Sequence, residues 1–308
     1  MKKETISEMM REMIAWKVSM HRERTAETYA SALSSFMRFR EGVDCQLCDL
    51  KPRLMQQYEA WLWEKGVTRN TSSFYMRKLR AAYNEAVRRG LVAQAYPFHS
   101  VYTGKDKTVK RAIGDGLLRK IRSLDLSGKP WLELARDLFL FSFYTRGMSF
   151  VDMAYLRKRD CQQGVLVYCR HKTGQRLQIR YEECIKEIVR KYDNPESPYL
   201  LPIILKKGQE RQQYLRAQRR VNYGLHRLAE EAKLKAHLTM YVARHSWATL
   251  ALKSRIPIAI ISECLGHESE QMTRIYLASI GANQMDRANR VVIGRLFFDG
   301  NIVENNPD

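Results

Sequence analysis

The sequence predicts a mostly α-helical protein with one small antiparallel β-sheet, divided into two domains. Three features carry that expectation. Apolar residues recur at three- and four-residue spacing through most of the 308-residue chain; the period changes to two only between residues 164 and 181; and the pattern lapses into a short polar stretch at 100–108. At this length two ordinary domains, each with its own core, fit better than one large one.

The first hundred residues read as four helices. Thr5-x-x-Glu8 is a capping box, and Ile6, Met10, Met13, Ile14 and Val18 follow at helical spacing. Thr25 is placed to cap a second helix whose buried face is Tyr29, Leu33, Phe36 and Met37. A third helix starts near Pro52, carries Met55, Tyr58, Trp61 and Leu62 inward, and stops at Gly66. The fourth spans 71–90. Its residues Tyr75, Leu79, Ala82, Ala86 and Val87 face inward, whereas Arg77, Arg80, Asn84 and Arg88 share the other side. That basic stripe suits either a solvated face or a DNA backbone.

The polar stretch, with Lys105 and Lys107 at its centre and Lys110-Arg111 beyond, reads as an interdomain linker. The expected domains are therefore 1–104 and 112–308, joined by a basic tether over 105–111. Helical patterns resume at 114–124 and 130–145. Between 164 and 181, Val165, Val167 and Cys169 alternate with other residues, Lys172-Thr173-Gly174 makes a turn, and Leu177 and Ile179 alternate again, which describes a β-hairpin with Lys172 at its tip. Further helices are expected at 183–192, 216–233, 241–253, 257–265 and 269–278. There is no internal repeat.

Composition narrows the partners. With 53 Lys+Arg against 33 Asp+Glu the net charge is +20, more than solubility requires. Such a surplus suits a polyanion, because each phosphate neutralised releases condensed counterions; nucleic acid leads, ahead of an anionic membrane or an acidic protein. The first ten residues lack the apolar core of a signal peptide and no apolar run is long enough to span a bilayer, so a cytoplasmic, nucleoid-associated location is expected. Six scattered cysteines read as free thiols. Cys45-x-x-Cys48 has no second pair to complete a zinc site, and no metal or other cofactor is expected.

The chemistry lies between residues 172 and 276. Arg244 precedes His267 by 23 residues, and Tyr276 follows His267 by 9. Breaking a DNA phosphodiester without a metal needs a nucleophile, cations on the non-bridging oxygens, and an acid for the departing 5′ oxygen. Tyr276 would attack, Arg244 would clamp the phosphate through its planar fork, and Lys172 would protonate the leaving oxygen. His267 would hydrogen-bond a phosphate oxygen and balance charge in the transition state. Each residue alone has an ordinary reading as core, helix-start or turn; their joint order and spacing make the case.

The stretch Thr239-Met240-Tyr241-Val242-Ala243-Arg244-His245-Ser246-Trp247-Ala248-Thr249 resembles the second-arginine box of the tyrosine recombinases, the phage integrase family. Leu265-Gly266-His267 is similar to the family's following Gly-His pair, Ile275-Tyr276 to its nucleophile site, and Arg170-His171-Lys172-Thr173-Gly174 to its lysine hairpin. Residues 1–104 resemble its helical, SAM-like core-binding domain, so the resemblance covers most of the chain. It implies a C-shaped clamp made of that domain and a mixed α/β catalytic domain. It also implies a 3′-phosphotyrosyl intermediate with a free 5′ hydroxyl, requiring neither ATP nor metal, and four protomers that exchange strands through a Holliday junction. A monomer in solution that assembles on double-stranded DNA with two inverted half-sites is the corresponding expectation.

Two positions depart from the family pattern. Where His usually stands three residues before the second arginine, this chain has Tyr241, and a phenol is a poor base at neutral pH. In Gly147-Met148-Ser149-Phe150-Val151-Asp152 the family's first arginine falls at Ser149. Arg146, three residues earlier and close to one helical turn away, is assigned the role; the alternative is a structural pair with Asp152. Ser149 then reads as an N-cap supported by Asp152. The apolar cluster Val291, Val292, Ile293, Leu296, Phe297 and Phe298 either closes this chain's own core or docks on a neighbouring protomer. Three functions stay open on these residues: a recombinase that integrates, excises or inverts DNA, a type IB topoisomerase, and a catalytically impaired architectural DNA-binding protein.

Overall fold

A computed structural model describes residues 4–106 and 112–276, with backbone only at 272, 275 and 276. Contacts divide the chain into two compact units, Met1–Thr108 and Val109–Asp308.

The first unit holds α1 (Ile6–Ser19), α2 (Glu23–Phe39), α3 (Pro52–Glu64) and α4 (Arg69–Arg88). The capping box at the start of α1 is formed in both directions, Glu8 N–H donating to Thr5 Oγ1 at 3.2 Å and Thr5 N–H to Glu8 Oε2 at 3.0 Å. Ile6, Met9 and Met10 are buried, but Val18 is 49% exposed, because the last turn of α1 runs past the core. Thr25 does not cap α2: the helix begins two residues earlier, after Arg22, and Thr25 lies in its first turn. Tyr29, Leu33 and Phe36 of α2 meet Met55, Tyr58 and Leu62 of α3, and the buried Tyr58 hydroxyl donates to Ser35 Oγ at 2.7 Å. Thr68 caps α4, whose buried residues include Met76, Leu79, Ala82, Tyr83 and Ala86.

Residues 101–106, expected as polar linker, are fastened to this unit. Val101 joins the core, Tyr102 N–H donates to Glu59 Oε1 at 3.0 Å, Ser73 Oγ–H donates to Gly104 O at 2.6 Å, and Asn70 and Asp106 exchange two hydrogen bonds. A short polar run carries no apolar period, so the sequence could not reveal anchoring that rests on single hydrogen bonds. Lys107, Lys110 and Arg111 lie outside the described residues.

The second unit is built around α6 (Pro130–Tyr144), which buries Leu132, Ala135, Leu138, Phe139, Leu140 and Phe141 and is therefore apolar on most sides. Packed with it in one core are α5 (Asp115–Arg122), α7 (Phe150–Tyr155), α8 (Glu183–Lys191), α9 (Glu210–Glu231) and the start of α10 (Met240–Lys253). The antiparallel sheet runs β1 (Cys161–Gln162), β2 (Val165–Cys169), β3 (Arg176–Arg180) in sequence order. On β2 it is Leu166 and Tyr168 that point inward, opposite Ile179 and Leu177, while the alternating Val165, Val167 and Cys169 do not. Val-Leu-Val-Tyr-Cys is apolar on both faces, so alternation alone cannot choose between them; the cross-strand partners do.

The last elements among the described residues are α11 (Ile258–Leu265) and α12 (Glu270–Tyr276). A small cluster of Ala248, Ala251, Ile261 and Leu265 packs α11 onto α10. No described helix is long and apolar enough to cross a membrane.

Candidate active site

The site is organised by Arg244, one turn into α10 and 5% exposed. Its Nη1 donates to Gly147 O at 2.8 Å, across 97 residues of sequence, and its Nη2 donates to Leu265 O. Gly147 has φ +73, and a Cβ there would stand 2.7 Å from Arg244 Cα, so only glycine lets the 145–148 turn come this close. Arg146 is also left-handed, at φ 59, which for a side chain with a Cβ is a strained conformation of the kind kept at functional positions. Ser149, next along, caps α7 by accepting from Asp152 N–H at 3.4 Å, and its hydroxyl donates to Asp152 Oδ2 at 2.6 Å.

His267 is positioned by the end of α11. Gly266 takes φ +62, its N–H returns to Glu263 O at 2.9 Å, and His267 N–H reaches Ser262 O at 3.0 Å, the paired bonds of a Schellman cap. His267 Nε2 lies 3.2 Å from Arg244 Nη2 and Nδ1 lies 2.8 Å from Thr273 Oγ1 of α12. A guanidinium can only donate, so Nε2 accepts and the ring proton sits on Nδ1, facing Thr273. Burial first, then the charges of Arg244, Arg170 and Lys172, push the imidazole pKa from 6.5 down to about 4. At neutral pH His267 is therefore uncharged.

Lys172 is exposed in the turn between β2 and β3, and its charge is felt at His267. Arg146 lines an open cleft between β3, at Arg176 to Gln178, and α11, at Ala259, Ile260, Glu263 and Cys264. Among the described residues it has no hydrogen bond or ion pair, and Asp152 is engaged instead by Ser149, Arg170 and His171 N–H. Buried Tyr168 reports how close these charges lie. Its hydroxyl is shifted upward, chiefly by burial and then by Asp152, against opposing pulls from Arg244, Arg170 and Arg146.

Tyr241 is 58% exposed in the first turn of α10, its ring edge-on to His245 at 4.5 Å between centroids. Tyr276 is the last residue of α12, three positions beyond Thr273; its side chain lies outside the described residues. Thus Arg244 and His267 are in contact, the charge of Lys172 reaches His267, Arg146 adjoins the Gly147 carbonyl that Arg244 holds, and α12 ends on Tyr276.

The residues read as DNA contacts in the first unit are differently occupied. Arg88 is ion-paired with Glu85, Nε to Oε2 at 2.9 Å. Arg77 Nε donates to Ser73 O at 3.3 Å and Arg80 Nη1 to Thr103 Oγ1 at 3.0 Å, while Lys105 is exposed. Sequence reading missed Arg170. It is 8% exposed and its Nη1 donates to Gly266 O. An arginine two residues before a hairpin-tip lysine gives no periodic signal of burial.

Residues 5–101 match the phage integrase SAM-like domain and residues 144–281 match the phage integrase family. A tyrosine recombinase of Thermosipho africanus is 21% identical over 93% of this chain and 99% of its own length. The fold resembles that of the Tn1549 transposon integrase in complex with a circular intermediate DNA, with TM-score 0.69 at 16% identity over 94% of this chain and 99% of that one. It also resembles lambda integrase as a tetramer bound to a Holliday junction, with TM-score 0.62 at 18% identity over 89% of this chain and 78% of that one.

Proposed function

This chain belongs to the phage integrase family of tyrosine recombinases, and we propose that its site cleaves and rejoins DNA through a 3′-phosphotyrosyl intermediate on Tyr276. Site-specific recombination is the family's reaction. The observation that supports the finer reading is the convergence of Arg244, Gly147 and the 265–267 turn, segments up to 97 residues apart, with Arg244, Arg170 and Lys172 all acting on the His267 imidazole.

At this site Arg244 and Arg146 hold the non-bridging oxygens of the scissile phosphate. Arg244 brings to the phosphate a guanidinium that stays positively charged at any working pH, already oriented by Gly147 O, Leu265 O and His267 Nε2. Lys172 protonates the 5′ oxygen as it leaves. His267, neutral with its proton on Nδ1, acts as an acceptor that orients Arg244; the phosphodiester anion, and the added negative charge of the pentacoordinate transition state, would favour uptake of a second proton, after which Nε2 donates to the phosphate. Tyr241, a poor base at neutral pH, hydrogen-bonds the phosphate. The phosphotyrosyl bond conserves the energy of the broken one, so rejoining needs neither ATP nor metal.

Assembly as a tetramer is proposed by analogy with lambda integrase, which forms one on a Holliday junction, and two inverted half-sites in each duplex belong to the same proposal. The apolar cluster at 291–298, outside the described residues, is proposed to dock on the neighbouring protomer. The net charge of +20 supports a phosphate-rich partner. The test is a denaturing gel of protein on a nicked suicide substrate carrying the target site. Wild type should leave a covalent adduct and Tyr276→Phe should bind yet leave none; an adduct with the Phe variant would remove Tyr276 from the nucleophile role.

A further inference from the structure

Two guanidinium groups hold successive carbonyls at the end of α11. Arg244 takes Leu265 O, and Arg170, from the base of the lysine hairpin, takes Gly266 O. These are the carbonyls a helix leaves unpaired at its C-terminus, where its dipole is negative and a cation is favoured. Arg244 belongs to the reaction as proposed; nothing in that reaction uses Arg170.

Arg170 nevertheless sits where three segments of the site meet. Its backbone closes the hairpin loop, N–H to Gln175 O at 2.8 Å and O from Gly174 N–H at 2.8 Å. Its Nε stands 4.0 Å from Asp152 Oδ2, and Asp152 Oδ1 accepts from the next hairpin residue, His171 N–H, at 2.8 Å. Asp152 is in turn bound by Ser149, three residues from Arg146. The packing is close: a Cβ on Gly266 would lie 2.6 Å from Arg170 Cδ. Burying a guanidinium to 8% exposure is costly, and an arginine kept there needs its partners.

We propose that Arg170 is a positioning residue that pins the lysine hairpin to the Gly266 carbonyl and thereby aims Lys172 at the leaving oxygen. The inference rests on the recombinase reading above. Of the two elements it joins, the turn at 265–267 has other anchors, namely the Arg244 bond and the two backbone bonds of the Schellman cap. On the hairpin loop beyond Cys169 the other described contacts to the rest of the unit are His171 N–H on Asp152 and the His171 ring against Tyr155, so removing Arg170 loosens Lys172 and leaves His267 in place.

Arg170→Met keeps an unbranched apolar stem and removes the guanidinium donors. On an ordinary phosphodiester suicide substrate it should lower the rate of adduct formation by about 100-fold or more, the usual worth of a general acid, with half-site binding unchanged within about twofold. A substrate whose 5′-bridging oxygen is replaced by sulfur needs no acid and should restore the rate, as it should for Lys172→Ala. The double variant should cleave the ordinary substrate no more slowly than Lys172→Ala alone, since the two changes remove one function. Cleavage of the ordinary substrate at the wild-type rate, a loss that sulfur does not restore, or losses that multiply in the double variant would each overturn the proposal. If circular dichroism shows Arg170→Met unfolded, Arg170→Lys, which keeps charge and stem but not the fork, is read by the same criteria. Wild-type protein that forms no adduct on either substrate would instead remove the recombinase chemistry itself.

Discussion

Gly147→Ala tests whether Arg244 is held in place by the closeness of the 145–148 turn. The added methyl would meet Arg244 Cα at 2.7 Å, Cγ at 2.8 Å and Cβ at 2.9 Å. These atoms are the root of the side chain and its backbone, so Arg244 cannot swing aside; either the turn or the first turns of α10 must move. Two costs add. A residue with a Cβ at φ +73 pays about 1–2 kcal/mol for the left-handed region, and overpacking a buried contact costs about 1–3 kcal/mol more. Gly164→Ala separates them, because Gly164 has a similar φ of +76 with nothing within 4 Å of the new methyl. Thermal unfolding of the whole protein should therefore show a loss of about 2–5 kcal/mol for Gly147→Ala and about 1–2 kcal/mol for Gly164→Ala, with Tm falling about 2–4 °C per kcal/mol in a unit of this size. Adduct formation should fail only in the first, which also loses the 2.8 Å bond from Arg244 to Gly147 O. Equal loss of stability in both variants, or a Gly147→Ala protein that cleaves normally, would refute the reasoning.

Lys172→Ala should block cleavage of ordinary DNA and recover on a substrate with a 5′-bridging sulfur; equal loss on both would take Lys172 out of the acid role. Arg146→Ala should cut cleavage by orders of magnitude with binding nearly intact, whereas Ser149→Ala, measured in the same adduct assay and by thermal melting, should cost roughly 1 kcal/mol as a lost cap. The reverse ranking would place Ser149 at the phosphate. His267 has a native pKa of about 4 against 6.5 for a free imidazole, so the unfolded chain takes up a proton that the native one refuses. Its contribution to stability is full above pH 6.5 and is lost as the pH falls towards 4. Denaturant midpoints between pH 8 and 4 should accordingly drop further for the wild type than for His267→Gln, and parallel curves would contradict the buried neutral imidazole.

The sequence by itself determined the helices, the hairpin and the order of the chemical residues, because these are local. The capping box at Thr5 and Glu8, Pro52 at the start of α3, and the Lys-Thr-Gly turn between two alternating strands are set by neighbours a few positions apart. The spacing of Arg244, His267 and Tyr276 was legible for the same reason, and so was Ser149 as the cap of α7. Where local chemistry allowed two readings it could mislead or leave the matter open: Thr25 had a cap's chemistry but lay inside α2, and the run at 165–169 could bury either face.

Tertiary structure alone decided what the functional groups touch. That Gly147 must be glycine follows from the approach of a helix 97 residues away, that His267 is neutral follows from its burial beside three cations, and that Arg170 is buried follows from a carbonyl 96 residues along the chain. Periodicity records which face of an element is apolar, but hydrogen bonds and charges act over a few ångströms between segments whose meeting no sequence spacing encodes.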